Sequence, residues 1–257
     1  MRAAGEKITC LVERNDVAVR RLEGMEEYVR FYEAPGLRTD LDGKTEITEN
    51  GIAYEVDCLN GQKTGFFLDQ KYNRLALRRI SAGRTVLDCF THTGSFALNA
   101  ARGGAKRVTA VDISSDAIAL ARRNAERNGI ADMEFVVADV FDLLDDLRKA
   151  GNSPYDLIVL DPPAFTKSGA TVKNAYRGYK EINLRAMQIL PRGGYLATCS
   201  CSHFMPPALF ERMLGEAAKD AGVSLRQIEM RQQAPDHPIL RGVPETEYLK
   251  FYLLQVV

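Results

Sequence analysis

The sequence predicts an α/β protein: a mainly parallel sheet covered on both faces, ending in an antiparallel hairpin and preceded by a small α+β domain. Three observations carry this. From Ser81 onward, short continuously apolar runs alternate with amphipathic helical stretches, the pattern of parallel strands buried on both sides. The last two strand-like runs, Ser224–Arg231 and Tyr248–Val256, have no helix between them, so they pair as a hairpin on one edge. Residues 1–80 lack the alternation and read as a few short strands with one helix. Two domains are therefore expected, 1–80 and 81–257.

In the first domain, Lys7–Val12 is a short apolar run of strand type. Glu46–Asp57 reads as two strands around Asn50-Gly51, a strong hairpin signal. Asp69–Ile80 sets Tyr72, Leu75, Ala76 and Arg79 at helical spacing, with Asp69 as the expected N-cap. In the second domain the expected strands are Thr85–Phe90, Arg107–Asp112, Phe135–Ala138, Tyr155–Leu160 and Tyr195–Cys199. The expected helices are Ser95–Arg102, Ser115–Asn128, Phe141–Lys149, Asn174–Leu190 and Pro207–Ala221. Asn128-Gly129 is a good C-cap pair.

Composition narrows the function classes. The chain has 257 residues, 46% hydrophobic and 26% charged, which excludes a disordered chain, a collagen-like fibre and a small disulfide scaffold. No apolar run approaches the roughly 18 residues that span a bilayer, and MRAAGEKITC lacks the apolar core of a signal peptide. No membrane partner is expected, and the five cysteines read as cytoplasmic thiols. Lys+Arg and Asp+Glu both number 34, a net charge of +0, so whole-chain charge does not advertise a nucleic-acid binder.

Ligands of open α/β sheets bind beyond the carboxyl ends of the strands, so those ends hold the candidate residues. The first runs Asp88-Cys89-Phe90-Thr91-His92-Thr93-Gly94-Ser95, a loop entering a helix with one glycine for close backbone approach. The second ends in Val111-Asp112-Ile113, with Asp112 following Asp88 at about the 20-residue interval of a ribose-gripping acid. The third ends in Ala138-Asp139-Val140-Phe141, an acceptor and an aromatic face suited to adenine. The fourth ends in Asp161-Pro162-Pro163-Ala164-Phe165. Its prolines remove two donors, leaving a carboxylate and carbonyls to accept from an amino group and Phe165 to stack on a base. Any one such Asp can be only a helix cap; four in register point to a nucleoside-containing cofactor. NAD fits poorly without the G-x-G-x-x-G fingerprint, and S-adenosylmethionine fits better.

The fifth strand carries Thr198-Cys199-Ser200-Cys201-Ser202-His203. No second Cys/His pair completes a zinc set, so no metal is expected. The thiols are either buried small hydrophobes or a nucleophile, which acts as thiolate. Alternation puts Cys199 and Cys201 on one face, so position alone does not separate them. His92, His203 and His237 read as hydrogen-bonded loop residues, and Cys10, Cys58 and Cys89 as packing residues.

Gly61-Gln62-Lys63-Thr64-Gly65-Phe66-Phe67-Leu68-Asp69-Gln70, Asp88 to Phe96, Asp161-Pro162-Pro163, Arg177 to Asn183, Ser200-Cys201-Ser202 and Asp236-His237-Pro238 together resemble the bacterial large-subunit ribosomal RNA 5-methylcytosine methyltransferases. The resemblance runs from about Glu13 to Val257. It implies a class I, Rossmann-like methyltransferase domain that depends on S-adenosylmethionine. Before it the resemblance implies a small β-β-α-β-β-like domain and an N-terminal PUA domain, which this sequence is expected to lack. Relatives carry Lys after Asp-Pro-Pro; here that position is Ala164, with Lys167 nearby.

The resemblance implies cofactor contacts at Asp88, Phe90, Thr93, Gly94, Ser95, Asp112, Ile113, Asp139, Val140 and Asp161, with Pro162, Pro163 and Phe165 around the target base. It implies ribosomal RNA as partner and allows a homodimer. Related cytosine-5 methyltransferases place their nucleophile at a fixed spacing from a Gly-Gly pair. Counted from Gly193-Gly194, that position is Cys201, and Asp161 is its catalytic companion. The rivals are methylation of an exocyclic base amine, a small-molecule methyltransferase, and a non-catalytic RNA-binding factor.

Overall fold

The computed structural model describes residues 5, 7–166 and 168–257, and the chain divides into two compact units. One comprises residues 1–49 and 53–67, the other 50–52 and 68–257.

The first unit holds β1 (Val12–Asn15), the single-turn α1 (Val19–Leu22), β2 (Tyr28–Phe31), β3 (Lys44–Glu49) and most of β4 (Ile52–Asp57). β1 and β2 pair antiparallel, and β3 and β4 form a separate two-stranded sheet. The order β-α-β-β-β differs from the expected β-β-α-β-β. Lys7–Leu11 is not a strand: β1 starts at Val12, although Leu11 O still accepts from Tyr32 N. β2 carried no periodic signal because it is only four residues long. The expected hairpin turn forms, with Asn50 and Gly51 both at positive φ (55° and 73°), as a type I′ turn requires. Gly65 is obligatory where it stands: at φ +94°, a Cβ would lie 2.6 Å from Asp57 O. That glycine lets the Gly61–Gly65 segment of the motif close tightly on the end of β4.

The second unit is a seven-stranded sheet in the order β10-β11-β9-β8-β5-β6-β7. Its strands are β5 (Thr85–Cys89), β6 (Arg107–Asp112), β7 (Met133–Val137), β8 (Leu157–Leu160), β9 (Tyr195–Ser200), β10 (Leu225–Arg231) and β11 (Lys250–Val256). β5 to β9 run parallel, while β11 is antiparallel to β9 and β10 to β11. This is the expected parallel sheet with its antiparallel hairpin. The helices are α2 (Lys71–Ile80), α3 (Ser95–Arg102), α4 (Ser115–Arg127), α5 (Val140–Ala150), α6 (Val172–Ile189) and α7 (Pro207–Ala221). α2 clusters with this unit.

The central strands β5, β8, β9 and β11 are largely buried because both faces are covered. Leu87, Ile158, Leu160 and Leu196 pack with Leu144, Ile182, Phe210 and Met213 on the side of α5, α6 and α7. Val86, Val108, Val159 and Phe251 pack with Leu77, Phe96 and Ala100 on the side of α2 and α3. Among the described residues no helix is long and apolar enough to cross a membrane.

Asp69 does not cap α2. It sits in a 3₁₀ turn, Leu68–Gln70, and Gln70 precedes the helix without a side-chain cap. The Asp69 carboxylate instead accepts from the Tyr248 hydroxyl at 2.8 Å, a partner that only the folded chain supplies.

Candidate active site

The chain leaves β5 for β6 and β7 on one side, then crosses to β8 and β9 on the other. Connections diverge between β5 and β8, and the crevice outside their carboxyl ends is where such sheets bind ligands. Asp88 is the penultimate residue of β5 and Asp161 follows β8 directly.

Asp88 is 1% exposed. One carboxylate oxygen accepts from Thr91 Oγ1 at 2.6 Å and from Ala97 N at 2.9 Å, tying β5 to the first turn of α3. The other, Oδ1, is buried with no hydrogen-bond partner among the described residues. Burial pushes this carboxyl up to about 7. The loop that follows is tightly wound, with Phe90, His92 and Gly94 at φ 63°, 50° and 79°. A Cβ on Gly94 would lie 3.0 Å from Ala121 Cβ of α4, so glycine permits this approach of turn to helix. Thr93 and Ser95 are buried within the turn, and Asn124 donates to Thr93 O at 3.0 Å.

Asp112 accepts the backbone N–H of His92 on one oxygen and of Ser114 on the other, each at 3.0 Å. Both oxygens keep acceptor capacity. Ile113 beside it is exposed. Asp139 caps α5 through Phe141 N at 2.7 Å and is itself exposed, whereas Val140 is buried in the core.

Asp161 is half-buried and receives Gln70 Nε2 at 3.0 Å on Oδ1. Gln70 in turn takes Asn73 Nδ2 at 2.7 Å. The Cys199 thiol lies beside this carboxyl. Burial pushes Asp161 up to about 6, against the pull of the Arg74 guanidinium. Cys199 is fully buried, and burial pushes its thiol well up.

Pro162 is buried and Pro163 exposed. Phe165 packs its ring 4.6 Å from that of Tyr179 and 6.1 Å from that of Phe141. Gly178 makes room, since a Cβ there would meet the Phe165 ring at 3.2 Å. Lys167 lies outside the described residues.

β9 ends at Ser200, so Cys201 belongs to the following loop and does not share the environment of Cys199. Its serine neighbours are anchors: Ser200 Oγ donates to Tyr179 OH at 3.2 Å, and Ser202 Oγ to Thr166 O at 3.0 Å. Cys201 is half-buried and within electrostatic reach of Tyr179, Tyr248 and Lys250. None of the five cysteines is in a disulfide, and no cluster of three or more metal-ligating residues occurs among the described residues.

Sequence reasoning missed Arg74, Tyr248 and Lys250 as site neighbours, and it quoted Gln70 and Tyr179 without a role. Arg74 lies on the helix of the motif-bearing turn, a signal that could have found it. Tyr248 and Lys250 read only as the start of a terminal strand. The His203 ring lies tilted against that of Phe204, and His237 pairs with Asp236, as loop residues.

Residues 35–252 match the S-adenosylmethionine-dependent methyltransferase family. This chain belongs to that family. The ribosomal RNA large subunit methyltransferase I of Aeromonas salmonicida (strain A449) is 45% identical over 247 residues, covering 93% of this chain and 60% of that protein. The protein of the same name from Klebsiella pneumoniae (strain 342) is 43% identical over 249 residues, covering 96% and 61%. The chain thus spans about three-fifths of the length of these curated relatives.

A candidate S-adenosylmethionine-dependent methyltransferase from Streptococcus mutans shares the fold with a TM-score of 0.77 at 28% identity, over 89% of this chain and 58% of that one. A second candidate methyltransferase, solved in complex with SAH, gives 0.75 at 29% identity over 88% and 57%. S-adenosylmethionine is the cofactor of the methyltransferase family, and the strand-end residues fit it. Buried Asp88 Oδ1 has no hydrogen-bond partner among the described residues, Asp112 offers oriented acceptors, and glycine at position 94 lets the turn pack closely on α4.

Proposed function

We propose that this methyltransferase forms 5-methylcytosine in large-subunit ribosomal RNA, with Cys201 as the covalent nucleophile. The observation that carries the reading is the different setting of the two thiols. Cys199 is sealed at 0% exposure against Asp161, while Cys201 is half-buried at the carboxyl edge of β9. The relatives' names support the RNA class.

S-adenosylmethionine, when bound, supplies the methyl group. Asp112 would hold the ribose hydroxyls, Asp139 and Ile113 the adenine, and Asp88 with the 90–95 backbone the remainder, leaving Thr93, Ser95 and Val140 as buried supports. C5 of cytosine is a poor nucleophile until the Cys201 sulfur adds to C6, which moves the ring electrons onto C5. After transfer a water molecule takes the C5 proton, the C5–H bonding pair restores the ring double bond, and the C6–S pair returns to sulfur. Asp161 would accept from the N3/N4 edge, oriented by Gln70. Its placement near neutrality lets it take or release a proton there. The base must be unstacked to arrive, and Pro162, Pro163 and Phe165 form the wall that receives it.

RNA carrying 5-fluorocytosine blocks the final proton loss and leaves a stable protein–RNA adduct. Wild type and Cys199→Ala should form it on denaturing gels, and Cys201→Ala should not. Adducts from Cys201→Ala but not Cys199→Ala would exchange the two roles. Nucleoside mass spectrometry showing methyl on an exocyclic amine, with neither thiol needed, would replace this chemistry.

A further inference from the structure

Lys250 is fully buried where β11 begins, opposite Ser200 in the antiparallel pair with β9. Its Nζ donates to Ser202 O at 2.5 Å and to Tyr248 O at 2.7 Å. Both acceptors are neutral carbonyls, while an ammonium carries three donors and a full charge. A buried cation left with only neutral partners is disfavoured. Cys201 lies between Ser200, which faces Lys250 across the ladder, and Ser202, whose carbonyl Lys250 holds.

We propose that Lys250 is the counter-charge that keeps Cys201 as a thiolate, a positioning residue for the nucleophile. This rests on the reading of Cys201 as nucleophile and adds how that sulfur is activated. Burial pulls the Lys250 ammonium down to about 8, and the neighbouring Cys201 followed by Glu247 holds it up, so at neutral pH the cation persists.

Among the described residues, the other titratable groups facing Cys201 do not supply that charge. Tyr179 on α6 and Tyr248 before β11 are both pushed up by burial and stay neutral, Tyr248 additionally because of Asp69. Cys199 on β9 is pushed well up by burial and stays a neutral thiol. Lys250 is therefore the cation beside Cys201 among these groups. In the reaction, the sulfur lone pair forms the S–C6 bond and its negative charge passes into the ring. On elimination the S–C6 pair returns to sulfur, again opposite the ammonium. The two carbonyls hold the cation in place between these events.

The test is the pH dependence of Cys201 alkylation by iodoacetamide in the full chain, without RNA. Fragmentation of the labelled peptide separates Cys201 from Cys199. In wild type the rate midpoint should lie at least one pH unit below the ordinary thiol value of about 8.5. Lys250→Met should raise the midpoint by one pH unit or more, slowing alkylation near pH 6.5 about tenfold. Lys250→Arg should keep most of the depression. A wild-type midpoint at or above the ordinary value overturns the proposal without any variant, so it stays falsifiable if Lys250→Met fails to fold. An unchanged midpoint in a Lys250→Met protein that still binds S-adenosylmethionine also overturns it, leaving Lys250 as a clamp on the loop. A shifted midpoint without a fluorocytosine adduct would sink the nucleophile and keep the ion pair. An adduct with an unshifted midpoint would do the reverse.

Discussion

Gln70 donates its side-chain amide to Oδ1 of Asp161 at 3.0 Å, joining the turn before α2 to the end of β8. The same Gln70 is oriented by Asn73, so the carboxylate inherits its direction from a helix far away in sequence. This bond favours the ionised carboxyl, against burial that pushes it up to about 6.

Gln70→Ala should therefore raise the Asp161 pKa further and move the acid limb of the methylation profile to higher pH. A hydrogen bond to a charged group contributes about 1.5–3 kcal/mol, so the limb should move by about one to two pH units. A pH profile of kcat reads it, and an unmoved acid limb would remove Asp161 from the chemistry.

Asp112→Ala should weaken S-adenosylmethionine by roughly 5- to 150-fold, corresponding to about 1–3 kcal/mol for buried hydroxyls left without an acceptor. The two backbone N–H groups that orient Asp112 leave it poised as that acceptor. Calorimetry with unchanged affinity would move the ribose elsewhere.

Asp88 sets a pH dependence of stability. Its folded pKa, about 7, is above its ordinary 3.8, so the native state binds the extra proton. The contribution is full below about pH 4 and is lost as pH rises through 7. Raising a carboxyl that far changes stability by at most about 4 kcal/mol across the window. Asp88→Asn carries no titration there, so the variant should gain on wild type in thermal unfolding between about pH 4.5 and 7.5. Parallel pH curves for the two proteins would show that Asp88 titrates normally.

The chain should bind unstructured RNA weakly, and more weakly as salt rises, because its net charge of +0 supplies no general attraction. Filter binding across a salt series checks this. Tight, salt-insensitive binding would point to a contact surface that does not work through phosphate.

The sequence by itself determined the sheet and its ligand edge. Uninterrupted apolar runs require burial on both faces, helices must supply that cover, and parallel strands bring their carboxyl ends to one side. Asp88, Asp112, Asp139 and Asp161 were legible for that reason, each standing where an apolar run stops. The tertiary structure alone decided what surrounds the two thiols. Alternation places Cys199 and Cys201 alike, but β9 stops between them, and the antiparallel return of β11 sets Lys250 against Ser200 and Ser202. It also decided that Asp69 meets Tyr248 rather than capping α2, and that Gln70 reaches Asp161. These are pairings between segments far apart in sequence. Periodicity reports which face of an element is buried but not which polar side chain waits on the other side, so such partners become visible only when the sheet has closed around them.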